Sequence, residues 1–201
     1  KILVDRFNVR KIIRGYDHRF GKNRSADIND LIKFGKKYDF EVEQISAQEI
    51  DEVSISSTKI RKALQEGNIH LANDYLGYPY FFKFTVVEGK QLGRTIGFPT
   101  ANLKIKEEYK LIPQNGVYVV KSFIDHKEVF GMMNIGTNPT VGGQVQTIET
   151  NFLDFEGNLY EKELKIELLH KIREEQKFAS LEALKNQLAK DKTTTQEYSK
   201  R

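Results

Sequence analysis

Gly93-Arg94-Thr95-Ile96-Gly97-Phe98-Pro99-Thr100-Ala101-Asn102 is the stretch from which the rest of the chain can be placed. Gly93 and Gly97 let the backbone turn tightly or come close to a ligand, so that main-chain N–H groups can face phosphate oxygens with no side chain between. Arg94 adds positive charge beside them. Pro99 fixes its own φ and drives Phe98 to an extended conformation, holding Thr100 and Asn102 in one orientation at the start of a strand. Residues two apart on a strand face one side, so the Thr100 hydroxyl and the Asn102 carboxamide can converge on one cation. Hard oxygens of this kind suit Mg2+ shared with nucleotide phosphates. The same residues also read as a plain Gly-Pro turn between two strands, and spacing alone does not separate these alternatives.

Downstream, apolar and polar residues alternate in short runs: Phe81–Val87, a strand at 100–105, Gly116–Ile124, Glu128–Ile135, Thr147–Phe155 and Glu163–Ile172. Short turns such as Ile124-Asp125-His126-Lys127 make antiparallel hairpins the simplest connection. Six such strands are the size of a small closed barrel. Ser180 caps a final helix whose Leu181, Leu184 and Leu188 form a stripe expected to pack on that barrel, and the last dozen residues, rich in Lys and Thr, are expected to fray.

Upstream the pattern is α/β. A strand at 9–16 leads into a Gly- and cation-rich loop at 17–24, a helix starting near Asp27 with Asp27 or Asn29 at its cap, and a strand at 40–45. Strand, helix, strand at this spacing predicts a parallel unit. Ser56 or Ser57 then caps a helix that Gly67 ends, and a second helix, Ile69 to Leu76, ends at Gly77. Ser57, Thr58, Lys59 and Arg61 at a helix N-terminus make an anion seat; ordinary capping accounts for the hydroxyls but not for the basic pair. Gly77 and Pro79 put the domain junction near Gly77, giving units of 1–77 and 78–201. The chain opens on Lys1, not Met, and enters a strand-like pattern at once, from which we expect an amino-terminal segment to be missing.

The net charge of +4 and pI near 9.0 tilt the partners toward anions, yet 32 basic against 28 acidic residues are not the footprint of a dedicated nucleic-acid binder. With no Cys there are no disulfides or thiolate metal sites. No run of eighteen apolar residues exists to cross a membrane, and the expected compartment is the cytoplasm. The histidines at 18, 70, 126 and 170 lack metal-ligand spacing.

Gly93-Arg-x-x-Gly-Phe-Pro-Thr-Ala-Asn-Leu103 resembles the signature of riboflavin kinases, and three further motifs follow in order. Asn134-Ile-Gly-Thr-Asn-Pro-Thr140 is similar to that family's second loop, Glu149-Thr-Asn-Phe-Leu-Asp-Phe155 to its catalytic strand, and Arg173-x-Glu175-x-x-Phe178 to its flavin-side element. Gly15-Tyr-Asp-His-Arg-Phe-Gly21 and Ile55-Ser-Ser-Thr-x-Ile-Arg61 resemble loops of the adenylyltransferase domain that precedes the kinase in bacterial bifunctional riboflavin kinase/FAD synthetases.

The resemblance implies a partial Rossmann-like nucleotidyltransferase domain followed by a six-stranded Greek-key barrel with a C-terminal helix. It implies that riboflavin is phosphorylated by ATP with Mg2+, by a monomer or weak oligomer that engages neither nucleic acid nor membrane. Thr100 and Asn102 would hold the metal; Gly93, Arg94, Gly97, Pro99, Thr100 and Asn134 the nucleotide, with Ser57, Thr58 and Arg61 serving the adenylyltransferase half. Arg173, Glu175, Phe178 and Asp17 would shape flavin sites, and Glu149 would take the hydroxyl proton. On pattern alone Glu149 is a solvated strand residue. Two departures stand out. The His-x-Gly-His of the adenylyltransferase is absent, so the chain should not make FAD efficiently alone; Asn151 and His18 replace the family's frequent His and Phe, which predicts altered packing or affinity. A non-catalytic flavin- or nucleic-acid-binding barrel is the alternative, although the aromatic residues fall at core-like positions and not in a basic stripe.

Overall fold

A computed structural model describes residues 2–15, 19–45, 49–50, 53–89, 92–107, 109–140 and 143–200. They form two compact units, Lys1–Ile55 and Ser56–Arg201.

The first unit opens with a π-helical turn, Ile2–Arg6, in place of the expected strand-like entry; none of its residues is buried, so no packing draws it into a sheet. Strand β1 (Lys11–Gly15) pairs in parallel with β2 (Glu41–Ile45), in register from Lys11↔Glu41 to Gly15↔Ile45, across helix α1 (Ile28–Tyr38). Asp27 caps α1 by accepting the Asn29 N–H at 2.8 Å and the Asp30 N–H at 3.3 Å, while the Asp30 carboxylate accepts the Asp27 N–H at 3.1 Å. This reciprocal box satisfies the donors that a helix start leaves open. Two short strands, β3 (Glu49–Ile50) and β4 (Val53–Ser54), pair antiparallel.

The second unit begins with α2 (Ser57–Gln65) and α3 (Ile69–Leu76). Ser56 is the α2 cap, its Oγ accepting the Lys59 N–H at 3.3 Å. Ala63, Leu64, Ile69 and Ala72 belong to the same buried cluster as the strand residues that follow. Asn73 ties the pair down further, donating through Nδ2 to the Leu168 carbonyl at 2.9 Å and accepting the Tyr80 N–H at 2.8 Å. The compact units divide between Ile55 and Ser56, and burial packs both helices with the barrel strands; Gly77 ends α3 in the left-handed region at φ 75°.

Six antiparallel strands close the barrel: β5 (Phe81–Val87), β6 (Ala101–Ile105), β7 (Gly116–Ile124), β8 (Lys127–Thr140), β9 (Gly143–Phe152) and β10 (Glu163–Arg173), in the order β10-β5-β6-β9-β8-β7. Closure leaves no bare strand edge. Asp125 and His126, at φ 48° and 64°, make the two-residue turn between β7 and β8 whose twist matches the strands it joins. Alternation along each strand sends Phe82, Phe84, Tyr118, Met133, Ile148 and Ile166 into the core. It leaves their neighbours on the outer wall.

Helix α5 (Leu181–Tyr198) is capped by Ser180, whose Oγ accepts the Ala183 N–H at 3.1 Å, and it packs on β7 and β8. Where fraying is expected, α5 runs on to Tyr198. Asp191 and Thr195 are 1% and 0% exposed, and the Tyr198 ring stacks on His170 at 5.8 Å, so burial along one side holds a tail whose composition alone suggests disorder.

Candidate active site

Strand register builds the site. Val117 pairs with Asn134, Asn134 with Glu149 and Glu149 with Asn102, which draws one line of side chains across four strands on the outer wall. Directly opposite residues share a face, so the carboxylate of Glu149 sits between two carboxamides. A cleft of about 600 Å3 lies over this line, and Leu184 and Leu188 of α5 contribute to its lining. The leucine stripe thus does more than pack: its two inner members line the cleft, while Leu181 is 60% exposed.

The stretch before β6 forms the adjoining rim. A helical turn, α4 (Leu92–Thr95), folds back so that the Phe98 N–H donates to the Gly93 carbonyl at 2.8 Å, and Gly97 takes φ 86°. A Cβ on Gly93 would overlap the Phe98 carbonyl oxygen, and a Cβ on Gly89 would overlap the Asn102 carboxamide. At Gly93 the obstacle is backbone, so only glycine permits the approach, whereas at Gly89 the Asn102 side chain would have to move. The Thr100 hydroxyl donates to Glu149 Oε2 at 3.1 Å, and Asn151 donates through Nδ2 to the Pro99 carbonyl at 2.7 Å. Adjacent residues Pro99 and Thr100 are therefore both tied to β9.

The opposite end is built from the segment after β10. Arg173 donates through Nε to both Asp191 oxygens, at 3.0 and 3.1 Å, and through Nη2 to Oδ2 at 2.8 Å, while its guanidinium lies 5.7 Å from the Phe178 ring centre. Glu175 accepts the Thr137 N–H at 3.3 Å and the Asn115 Nδ2–H at 3.1 Å. Arg173 and Glu175, two of the residues expected on the flavin side, are thus engaged with protein.

Gly93, Thr100, Asn102, Asn134, Glu149, Arg173, Glu175 and Phe178 all line the cleft, so the structure brings together most of the residues singled out from the sequence. Arg94, Gly97 and Pro99 are exposed and do not line it; Pro99 reaches it through Asn151. Ser57, Thr58 and Arg61 are exposed at the start of α2, outside the lining. Asp17 and His18 lie outside the described residues. Sequence reasoning missed the work of two side chains: Asn151, noted only as a departure, whose bond to Pro99 fixes the rim, and Asp191, which nothing in a Lys- and Thr-rich tail distinguishes.

Thr100 and Asn102 offer a hydroxyl and a carboxamide oxygen beside the Glu149 carboxylate, and among the described residues no group of three or more His, Cys, Asp or Glu could hold a metal. Such a donor set fits Mg2+ bound jointly with phosphates, not an all-protein cage. Among the described residues no helix is long and apolar enough to cross a membrane.

Comparison with known proteins agrees with this layout. The riboflavin kinase family model matches residues 76–199, and the FAD synthetase family model matches residues 1–59. A bifunctional riboflavin kinase/FMN adenylyltransferase of Escherichia coli (strain K12) is 41% identical over 98% of this chain and 63% of its own length. One from Listeria monocytogenes is 41% identical over 95% of this chain and 60% of its own length, so the chain spans less than two thirds of these relatives. A crystal structure named as a macrolide-efflux protein of Streptococcus pneumoniae, 35% identical, superposes with a TM-score of 0.82 over 90% of this chain and 58% of that one. Neither family match nor either bifunctional relative carries an efflux name. With the riboflavin kinase family model covering more than half of its residues, this chain belongs to the riboflavin kinase family.

Proposed function

We propose that the chain transfers the γ-phosphoryl group of ATP to the 5′-hydroxyl of riboflavin, forming FMN. The observation that carries the reading is the Thr100–Glu149 hydrogen bond within the Asn102↔Glu149 register pair: a carboxylate beside two hard oxygen donors, at the wall of a cleft with an apolar far end. Phosphoryl transfer requires alignment, neutralisation of phosphate charge and a group to receive the hydroxyl proton. Glu149 receives that proton. The turn from Gly93 to Gly97, which carries the Arg94 cation, covers the phosphates, and Pro99 and Asn134 complete the nucleotide side. Thr100 and Asn102 hold Mg2+, which when bound neutralises charge on the β- and γ-phosphates. Phe178, Leu184 and Leu188 supply an apolar wall for a flat ring system, and Arg173 and Glu175 shape that end by holding neighbouring elements in place.

FMN adenylylation to FAD, the second activity in the relatives' name, we assign to a domain whose C-terminal part is residues 1–77, with residues 78–201 as the kinase. Ser57, Thr58, Arg61 and Asp17 serve that activity, which needs a His-x-Gly-His segment this sequence does not contain. Riboflavin, FMN and ATP are the partners assigned to it, in the cytoplasm, as a monomer or weak oligomer without nucleic acid or membrane. Glu149→Gln tests the reading: fold and ATP binding should persist while FMN formation falls about a hundredfold or more, the scale of a positioned base. Near-normal turnover of that variant would remove Glu149 from the role.

A further inference from the structure

Asp191 is 1% exposed, yet it is an acid on a helix whose neighbours are Lys190 and Lys192. Its carboxylate faces inward and takes three donations from Arg173 and one from Gln187 Nε2 at 2.9 Å; its backbone carbonyl accepts the Thr195 hydroxyl at 2.9 Å. Arg173 is the last residue of β10 and also donates through Nη1 to the Glu174 carbonyl at 3.0 Å. One ion pair therefore joins the end of the barrel's last strand to the middle of α5, across the connecting segment that carries Glu175 and Phe178. The same guanidinium lies over the Phe178 ring, and the helix it anchors carries Leu184 and Leu188. A planar guanidinium gripped along Nε and Nη2 has its orientation fixed as well as its charge matched.

We propose that Asp191 is a positioning residue for the flavin end of the cleft: by locking Arg173 it sets the width of the apolar slot between Phe178, α5 and the barrel wall at Val117 and Met132. Asp191 touches no substrate. Its effect falls on riboflavin and spares ATP, because the row Asn134, Glu149, Asn102 and the Gly93 turn are held by strand register and by Asn151, not by α5. The proposal rests on the riboflavin kinase reading.

The test uses the 201-residue chain as it stands and its Asp191→Asn variant, with riboflavin binding followed by flavin fluorescence, KM measured for riboflavin and for ATP, and an unfolding midpoint recorded for each. Asp191→Asn keeps the volume but leaves Arg173 without its counter-charge. Riboflavin affinity and riboflavin KM should worsen by at least about tenfold while the ATP KM stays within about twofold. A purely structural role predicts a lower midpoint with both KM values moving together, or neither, and either pattern overturns the proposal. If Asp191→Asn does not fold, Arg173→Lys, which keeps the charge but loses the planar grip, must show the same split; its absence is equally fatal. A wild-type chain that neither binds riboflavin nor forms FMN overturns the kinase reading and this proposal together, whereas a working wild type with an unchanged Asp191→Asn overturns the positioning role alone.

Discussion

The two ends of the cleft are held by different kinds of physics. The end with Asn102, Glu149 and Asn134 is fixed by backbone register: once β6, β8 and β9 pair, those side chains must stand in line, and one hydrogen bond each from Thr100 and Asn151 ties the rim to them. The end with Phe178, Leu184 and Leu188 has no ladder behind it. There the Arg173–Asp191 pair joins a helix to a strand end, and Glu175 adds side-chain bonds to Thr137 and Asn115. A ladder spreads its cost over many backbone bonds, so single side-chain changes at that end should alter chemistry more than shape. A buried ion pair concentrates its role in two residues, and loss of either partner leaves a charge uncompensated.

Single substitutions should affect the two ends differently. The largest effect at the register-built end is the loss of FMN formation in Glu149→Gln, with the fold intact. Thr100→Ala comes next. By deleting a donor for Mg2+ it should raise the Mg2+ concentration needed for half-maximal turnover by roughly tenfold or more, and unchanged titration curves would count against that metal assignment. Asn151→Ala frees the Pro99 carbonyl and should cost roughly fivefold in kcat/KM for ATP, the worth of one hydrogen bond of about 1 kcal/mol; a larger loss for riboflavin than for ATP would blur the division between the two ends.

The smallest expected effect lies away from the cleft. Burial, above all, pushes the Tyr80 hydroxyl up to about 12 from its ordinary 10.0, and burial raises Tyr118 as well. The folded state keeps these protons where the unfolded chain has released them. Their contribution is therefore fully present below pH 10 and lost as pH climbs through about 12, so the unfolding free energy should fall over that window. Tyr80→Phe should cost about 1 kcal/mol at neutral pH through loss of its bond to the Leu111 carbonyl, and should flatten part of the alkaline fall; an unaltered slope would discount Tyr80.

This contrast also decides what could be read from the sequence. Period-two alternation and turn residues disclose the six strands, and alternation within 147–151 already puts Glu149 on a face with Thr147 and Asn151. Local signals narrowed the first cap to Asp27 or Asn29 and gave the last as Ser180 for the same reason: cap and capped group are neighbours in the chain. Contacts between residues far apart in sequence, or between side chains with no periodic pattern, left no such trace. Asp191 looks like one more charge in a solvated tail, and Arg173 like a cation free for a ligand, until the helix closes on the strand end. Gly77 marks where α3 stops, but a turn carries no information about the core in which Ala63, Leu64, Ile69 and Ala72 are buried.

Product formation by this chain is measured most directly by incubation with riboflavin, ATP and Mg2+, followed by chromatography of the flavins. FMN should form, dependent on Mg2+ and reduced about a hundredfold or more in Glu149→Gln. A folded, riboflavin-binding chain that forms no FMN would contradict the kinase reading.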